Sequence, residues 1–163
     1  MTPIPLPRHV DVVVVHSGQA RALAGSHYAA RRLECERAQS IIGPLRSATL
    51  DDVEGLEDPV LRSRARHVIG ENARVRAFAD ALWAGDLERC GELMAMSHRS
   101  LAADFEVSTN ALDQLVARLV ARPGVFGARL TGAGFGGCVV ALTKPGAIAE
   151  GFHVTASAGA RTI

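Results

Sequence analysis

Apolar residues follow two spacings along the chain, one typical of strands and one typical of helices. Near the start, HVDVVVVHSG carries four consecutive valines at positions 12–15 and ends at Ser17 and Gly18. An unbroken β-branched run predicts a strand over residues 10–15 that is central in its sheet or buried on both faces. Three more strands are predicted toward the other end, in VFGARLTG (125–132), GGCVVALT (136–143) and FHVTASAG (152–159).

The region between these strands has the periodicity of helices. SHYAARRLECERAQSIIG predicts a first helix with Ser26 as its N-cap and a stop at Gly43 and Pro44. A polar connector with one short helical turn follows. The longest periodic segment then runs from 58 to about 83, and its predicted core-facing residues are Leu61, Ala65, Val68, Asn72, Val75, Ala79 and Leu82.

Two further helices complete this region. The turn AGD at 84–86 leads into a second long helix, from 87 to about 104. The last helix is predicted to begin after Ser108 as its N-cap and to end at Pro123 and Gly124.

One face of the first helix mixes apolar and polar residues. Tyr28, Arg31, Cys35, Ala38 and Ile42 recur along it at steps of three and four. A tyrosine and an arginine within a core-facing stripe are a conflict of a kind that occurs disproportionately at functional sites. The residues alone nevertheless favour a structural reading, in which the Tyr28 hydroxyl reaches the rim of the core while Arg31 pairs with an acid.

The order of elements predicts one α+β domain over residues 1–163. Strands at both ends with helices between them favour a sandwich, in which helices are layered on one face of a largely antiparallel four-stranded sheet.

Composition narrows the class of protein. The chain has 163 residues, is 48% apolar and has a net charge of +1, which is typical of a globular domain and of neither a disordered nor a membrane-spanning chain. Its basic residues are scattered and only 4% of residues are aromatic, which argues against nucleic-acid binding. The start, MTPIPLPRHVD, has no signal-peptide core, so we expect a cytoplasmic protein.

Neither disulfides nor a metal site are expected. Cys35, Cys90 and Cys138 are odd in number and far apart, which favours reduced thiols. The six histidines include no H-x-x-x-H pair.

The stretch RLTGAGFGGCVVAL (129–142) matches the letters G-x-G-x-x-G-x-V of a nucleotide-binding loop. A dinucleotide fingerprint requires a helix after the loop, but a strand-like run follows here. A P-loop requires Lys-Ser/Thr after its last glycine, where this chain has Cys138 and Val139. The protein-kinase motifs V-A-I-K, H-R-D and D-F-G do not follow either. The residues themselves therefore predict a hairpin loop whose glycines allow close backbone approach.

The same stretch resembles the third motif of the GHMP small-molecule kinases. Four segments are similar to galactokinases in the order of their C-terminal part, and they cover nearly the whole chain. They are HYAARRLECERA (27–38), RARHVIGENARV (64–75), MSHRSLAADFEVSTNALDQLV (96–116) and PGVFGARLTGAGFGGC (123–138).

This resemblance implies a GHMP-kinase C-terminal domain and the conversion of ATP and galactose to galactose 1-phosphate and ADP, with Mg²⁺. Within that family, Tyr28 corresponds to a tyrosine that contacts the sugar. The glycine loop would lie beside the nucleotide phosphates and brace the phosphate loop of an N-terminal domain, through Gly132, Gly134, Gly136 and Gly137.

The departures from the family are as informative as the matches. Neither the G-E-H-x-D-Y sugar motif nor the P-x-x-x-G-L-S-S-S phosphate loop occurs in this sequence, and the family's reactive aspartate and arginine have no counterpart. The resemblance thus implies a chain with no catalytic or metal-binding residue, inactive alone, to which ATP and Mg²⁺ do not bind tightly. A separate N-terminal kinase domain is its expected partner.

Two alternatives remain open from the sequence. The chain could be a non-catalytic sugar-binding or interaction module derived from a galactokinase, or part of another GHMP sugar kinase. In either case the first strand and the glycine loop are expected to present an apolar patch, which predicts self-association.

Overall fold

The computed structural model describes residues 4–20 and 25–156, which form four helices and a four-stranded sheet. The elements in chain order are β1 (Asp11–His16), α1 (Gly25–Ile42), a 3₁₀ turn (Asp52–Gly55), α2 (Pro59–Ala84), α3 (Leu87–Ala103), α4 (Asn110–Val120), β2 (Val125–Thr131), β3 (Cys138–Thr143) and β4 (Phe152–Val154). The predicted α+β class is confirmed.

All strand pairs in the sheet are antiparallel, and the strand order is β2-β3-β1-β4. β1 lies between β3 and β4, with Val13 opposite Ala141 on one side and His153 on the other. Its predicted central position is therefore confirmed.

Helices cover both faces of the sheet, where we expected one. Val13 and Val15 pack into a cluster with α4, whereas Val12 packs into a cluster with α2 and α3. Side chains of a strand alternate between its two faces, so the valine run supplies apolar contacts to both layers of helices.

The bounds of α2, Pro59–Ala84, agree with the periodic segment predicted from 58 to about 83. The Asp58 carboxylate accepts from the backbone N–H of Val60 at 2.8 Å, Pro59 occupies the first turn, and Gly85 closes the helix at φ +73°. The predicted core stripe holds for Leu61 but is wrong at Val75, which is 60% exposed.

The reason for this difference is a change of packing partner along α2. Its first half contacts α1 and the connector, through Leu61, Ala65 and Ile69. Its second half contacts α3 and the sheet, through Phe78 and Ala81. The buried face rotates between these two clusters, and a single helical stripe cannot describe both.

Three predicted boundaries shift by a few residues. α1 begins at Gly25, so Ser26 lies inside its first turn. The N-cap of α4 is Thr109, whose hydroxyl accepts from the backbone N–H of Leu112 at 3.4 Å, while Ser108 donates to Asp113. β4 is shorter than predicted, and positions 157–159 of that prediction lie outside the described residues.

α3 packs directly onto the backbone of β2. A Cβ atom added at Gly91 would lie 1.9 Å from the carbonyl oxygen of Phe126, and one added at Gly127 would lie 2.6 Å from the Cα of Gly91. Side chains larger than hydrogen are thus excluded at both positions, and this contact sets the distance between the helix and the sheet.

Within the described ranges, no helix is both long enough and apolar enough to cross a membrane.

Candidate functional site

The glycine loop, residues 132–137, joins β2 to β3 and lies against two other backbone segments. The N–H of Phe135 donates to the carbonyl of Val107 at 2.8 Å, and the N–H of Gly137 donates to Gln19 at 2.9 Å. Ser17 returns a hydrogen bond to the carbonyl of Gly137 at 2.8 Å. The loop is therefore tied to the end of β1 and to the segment before α4.

Glycine is required in this loop for space as well as for conformation. Gly134 has φ +80°, and an added Cβ would lie 2.2 Å from the carbonyl oxygen of Val107. Gly136 has φ +113°, and its added Cβ would lie 2.9 Å from the carbonyl oxygen of Ala20. The predicted close backbone approach is confirmed, and the strand after the loop agrees with the exclusion of a dinucleotide fingerprint.

Tyr28 lies near the start of α1, at the same end of the molecule as the glycine loop. The ring of its neighbour His27 stacks on Phe135 of the loop, with centroids 4.9 Å apart. Tyr28 itself is 56% exposed. The structure thus places the start of α1, which carries the predicted sugar-contacting residue, against the predicted phosphate-side loop, although the two lie far apart in the sequence.

Arg31, the second polar residue of the α1 stripe, is held by hydrogen bonds within the domain. Arg31 donates to both oxygens of Glu34, at 3.0 and 2.9 Å, and to the carbonyl of Phe105 at 2.6 Å. The alternative in which Arg31 pairs with an acid is therefore confirmed for this residue. The Tyr28 side chain is exposed and so does not belong to the core.

Arg64 is the centre of an ionic cluster that was not predicted from the sequence. Its side chain is 3% exposed and contacts Glu34 at 2.7 Å, Glu106 at 2.6 Å and the carbonyl of Asp104. Burial lowers the pKa of Arg64, but its hydrogen bonds to the two glutamates outweigh burial and the pKa is raised. The guanidinium remains charged at every physiological pH.

This ionic cluster holds the segment that supports the glycine loop. Glu106 adopts φ +53°, and its pKa is lowered by the hydrogen bond from Arg64. The next residue, Val107, supplies the carbonyl that accepts from Phe135 of the loop. A signal was present in the sequence, since Arg64 falls three residues after Leu61 on the buried side of α2, but its acidic partners are 30 and 42 residues away.

Two buried histidines support the same region as neutral side chains. His67 contacts the Ser100 hydroxyl through Nδ1 at 2.9 Å and stacks on Phe105 at 4.5 Å. Burial lowers its pKa to about 4. His98 accepts from the backbone N–H of Leu130 at 3.4 Å, and burial lowers its pKa as well.

Two of the cysteines are poorly reactive, and the described residues include no metal cage. Burial raises the pKa values of the Cys35 and Cys90 thiols, which makes both poor nucleophiles. Among residues 4–20 and 25–156, no group of three or more His, Cys, Asp or Glu side chains could hold a metal ion. The candidate site consists of one exposed tyrosine and a tightly packed backbone loop.

Comparison with known proteins agrees with this architecture. Residues 78–153 match the family model described as GHMP kinases C terminal. The chain also superposes on the structure of Lactococcus lactis galactokinase complexed with galactose with a TM-score of 0.80 and 37% identity, over 88% of this chain and 39% of that one. Residues 78–153 thus belong to the GHMP kinase C-terminal family, and the chain has the fold of this domain.

Within this family the similarity is to galactokinases. The galactokinase of Chloroflexus aggregans is 45% identical over 87% of this chain and 39% of its own length. The human galactokinase is 43% identical over 90% of this chain and 38% of its own length. A mevalonate kinase of L. major in complex with R-mevalonate superposes with a TM-score of 0.60 and 25% identity, over 87% of this chain and 36% of that one. The chain thus spans about 39% of the length of these galactokinases.

Proposed function

We propose that this chain is the C-terminal portion of a galactokinase and that it contributes to the phosphorylation of galactose by ATP and Mg²⁺. The oxygen of the sugar's anomeric hydroxyl attacks the γ-phosphorus of ATP and gives up its proton to the solution, the bond to ADP breaks, and galactose 1-phosphate forms. The chain supplies Tyr28 to the sugar side of the site and the glycine loop to the nucleotide side.

One observation carries this proposal. The identity to galactokinases is 43–45% and extends over 87–90% of the chain, whereas identity to the mevalonate kinase is 25%. That contrast favours a galactokinase over another GHMP kinase.

The geometry of Tyr28 suits contact with a sugar. A phenol hydroxyl both donates and accepts hydrogen bonds, as sugar hydroxyls do, and its ring offers an apolar face. The side chain is 56% exposed and belongs to a helix whose next turn is tied down by Arg31. Tyr28 is therefore available to a ligand without a rearrangement of α1.

The glycine loop suits a supporting place beside a nucleotide. Its positive-φ residues compact the backbone against Val107 and Gln19, which leaves no side chain at Gly134 or Gly136 to obstruct a neighbouring phosphate loop. No carboxylate occurs from Arg129 to Lys144, so Mg²⁺ would be held by groups outside this loop.

We further propose that the chain is inactive alone. Phosphoryl transfer depends on positioning and on cations aimed at the transferring phosphoryl group. Among the residues that the structure describes, Arg31 and Arg64 lie behind this surface and are already paired with Glu34 and Glu106. We therefore expect the phosphate-binding groups to come from a separate N-terminal portion.

The test combines the chain with the missing part. We would co-express it with the N-terminal portion of the Chloroflexus aggregans galactokinase, purify the complex and measure galactose-dependent ADP release. We expect turnover only from the complex. Tyr28→Phe should raise the KM for galactose about tenfold or less, because it removes one hydrogen bond while keeping the ring. ADP release by the chain alone, or none by an intact complex, would contradict the proposal.

Calorimetry on the chain alone tests the remaining alternative, a non-catalytic sugar-binding module. Galactose binding without the N-terminal portion would favour a sugar-binding module, and the proposal of a half-enzyme would be abandoned.

A further inference from the structure

An open cavity of about 350 Å³ lies between α2, α3 and the connector that precedes the 3₁₀ turn. It shares no lining residue with the glycine loop or with Tyr28. Three of its nine lining residues are arginines, Arg66, Arg74 and Arg99, and one, Asp104, is acidic. The cavity therefore has an excess of positive charge, which favours an anionic ligand. We name it the arginine cavity.

A glycine within α2 opens the arginine cavity. Arg66, Gly70 and Arg74 follow one another at steps of four residues, which places them in one row along the helix. Side chains of such rows normally fill the groove between two packed helices. At Gly70 the row is interrupted, and the three atoms nearest to an added Cβ all belong to the Arg74 guanidinium, the first being Nη1 at 3.0 Å. Close backbone packing thus does not explain this glycine, although glycine is unfavourable inside a helix.

The Arg74 guanidinium has donors left for a ligand. Its Nε and Nη2 donate to Glu71 at 3.3 and 3.2 Å, and Nη2 also donates to the carbonyl of His67 at 3.4 Å. Nη1, which lies over Gly70, donates to no residue in the described ranges. Since no fully buried polar side-chain atom of the described residues lacks a partner, Nη1 is open to solvent and to an acceptor in the cavity.

The other charged groups of the cavity leave a second guanidinium available. The Asp104 carboxylate accepts from the Ser100 hydroxyl at 2.8 Å and lies 4.0 Å from Arg66. Arg99 is exposed and forms no ion pair with any residue that the structure describes. An anion that enters the cavity would therefore pair with Arg74 and Arg99 through charge-assisted hydrogen bonds.

The size and the rim of the cavity indicate a ligand larger than a bare anion. Its volume of about 350 Å³ falls within the range of about 300 to 1,000 Å³ that is typical of small-molecule sites. Leu50 and Met96 line it with 55% and 40% of their surfaces exposed. Apolar side chains beside a cationic pair suit a ligand that joins an anionic group to a flat ring.

We propose that the arginine cavity binds a nucleoside monophosphate, with its phosphate group on Arg74 and Arg99 and its ring against Leu50 and Met96. Guanidinium groups pair well with phosphate because their N–H donors form a planar fork that matches the phosphate oxygens. The inference goes beyond the proposed function and does not depend on it, since every lining residue belongs to this chain.

The experiment measures the binding of adenosine monophosphate to the purified chain by calorimetry, with inorganic phosphate and adenosine as separate probes. We expect adenosine monophosphate to bind at least about tenfold more tightly than either probe, because it alone offers both the charge and the ring. Arg99→Gln should weaken this binding about tenfold, through the loss of a charge-assisted hydrogen bond.

Arg76→Gln is the matched control for Arg99→Gln. Arg76 is exposed on α2 and likewise forms no ion pair in the described part of the chain, but it does not line the cavity. Both substitutions remove one positive charge, so general attraction of anions changes equally. We expect Arg76→Gln to keep the affinity for adenosine monophosphate within about twofold of the wild type.

Gly70→Ala is a second variant that should preserve folding, because alanine favours a helix more than glycine does. Its methyl group would fill the gap beneath the Arg74 guanidinium and displace Nη1. We expect binding at least about threefold weaker, with an unfolding temperature equal to or above that of the wild type. Thermal unfolding of every variant verifies that it is folded.

Four outcomes would overturn the inference. The first is a wild-type dissociation constant for adenosine monophosphate above about 1 mM. The second is an equal loss of affinity in Arg99→Gln and Arg76→Gln, which would show general attraction only. The third is binding that survives Arg99→Gln and Gly70→Ala but is lost in Gly134→Ala, since the ligand would then occupy the glycine loop. The fourth is inorganic phosphate binding as tightly as adenosine monophosphate, which would remove the role of the ring. Galactose-dependent turnover enters none of these measurements, so the galactokinase assignment is tested separately.

Discussion

Glycine allows backbone contact at two places in this domain, and the two contacts differ in what surrounds them. At the contact between α3 and β2, Gly91 lies against the carbonyl of Phe126 with both segments held in regular elements. At the glycine loop, Gly134 lies against the carbonyl of Val107, and neither residue belongs to a helix or strand. A glycine contact therefore fixes the packing of the core at one place and the shape of a surface loop at the other.

The consequence of this difference is mechanical. A helix and a strand that belong to a packed core cannot separate locally, because their other side chains are buried in shared clusters. A loop at the surface can move by an ångström or two at the loss of a few hydrogen bonds. We therefore expect substitutions at the first contact to reduce stability and those at the second to disturb function more than stability.

The largest effect should follow Gly91→Ala. The added methyl group would lie 1.9 Å from a backbone oxygen that no rotamer change can remove. We expect a loss of about 3 to 5 kcal/mol in the free energy of unfolding, measured by urea denaturation. Gly70→Ala is the control, since its methyl group would meet only the end of the Arg74 side chain at 3.0 Å. A better helix former should make this control neutral or stabilising by up to about 1 kcal/mol. Equal losses in the two variants would show that the contact is not restrictive.

Acid should weaken the support of the glycine loop through His67. Its folded pKa is about 4, against 6.5 for the unfolded chain. The unfolded state therefore binds the proton first as pH falls, so this contribution to stability is complete above pH 6.5 and is lost progressively down to about pH 4. The loss attributable to His67 is about 3 kcal/mol at most. Urea denaturation of the wild type and of His67→Gln at several pH values isolates the contribution of His67. This assignment would be contradicted if the free energy of unfolding of His67→Gln fell between pH 6.5 and 4.5 as steeply as that of the wild type.

The helices and strands could be anticipated from the sequence because their signals are local. The valine run, the periodic segment from 58 to about 83 and the turn at 84–86 are each recognisable within one stretch of the chain, and the order of elements followed from such stretches. Tyr28 stood out in the sequence as a polar residue in the α1 stripe, but its proposed contact with the sugar rests on the resemblance to a family.

The supports of the site could not be anticipated in the same way. Whether Arg64 is buried with its charge paired depends on Glu34 and Glu106, which reach it only through the packing of α1, α2 and the segment before α4. Gly91 carried a weaker signal, since glycine within a helix is unfavourable unless close packing requires it. Helix placement on both sheet faces, and with it the exposure of Val75, also depends on tertiary packing.

Arg64→Met tests how far the loop contact depends on its ionic support. The substitution keeps much of the buried stem but leaves Glu34 and Glu106 without their main partner. We expect a loss of about 2 to 3 kcal/mol, below the range for fully buried pairs because Glu106 is 58% exposed. Hydrogen exchange should increase at the amide of Phe135 before it increases at those of β2. Arg32→Met is the control, since its pair with Glu36 is exposed and should be worth about 0.5 kcal/mol or less. If hydrogen exchange became faster to the same extent across β2 and the loop, Arg64 would instead support the whole domain equally.

Gly134→Ala should have the smallest effect on stability and the most specific one on the site. At φ +80° an alanine is strained, and its methyl group would lie 2.2 Å from the Val107 carbonyl oxygen, so we expect a loss of about 2 kcal/mol as the loop moves away. Gly43→Ala separates these two causes, because Gly43 has φ +85° with open space around it and should lose only about 1 kcal/mol. In the complex with the N-terminal portion, Gly134→Ala should reduce turnover while Gly43→Ala leaves it unchanged. If Gly134→Ala kept full turnover while losing stability as Gly91→Ala does, the loop would serve the fold alone, and the distinction between the two glycine contacts would fail.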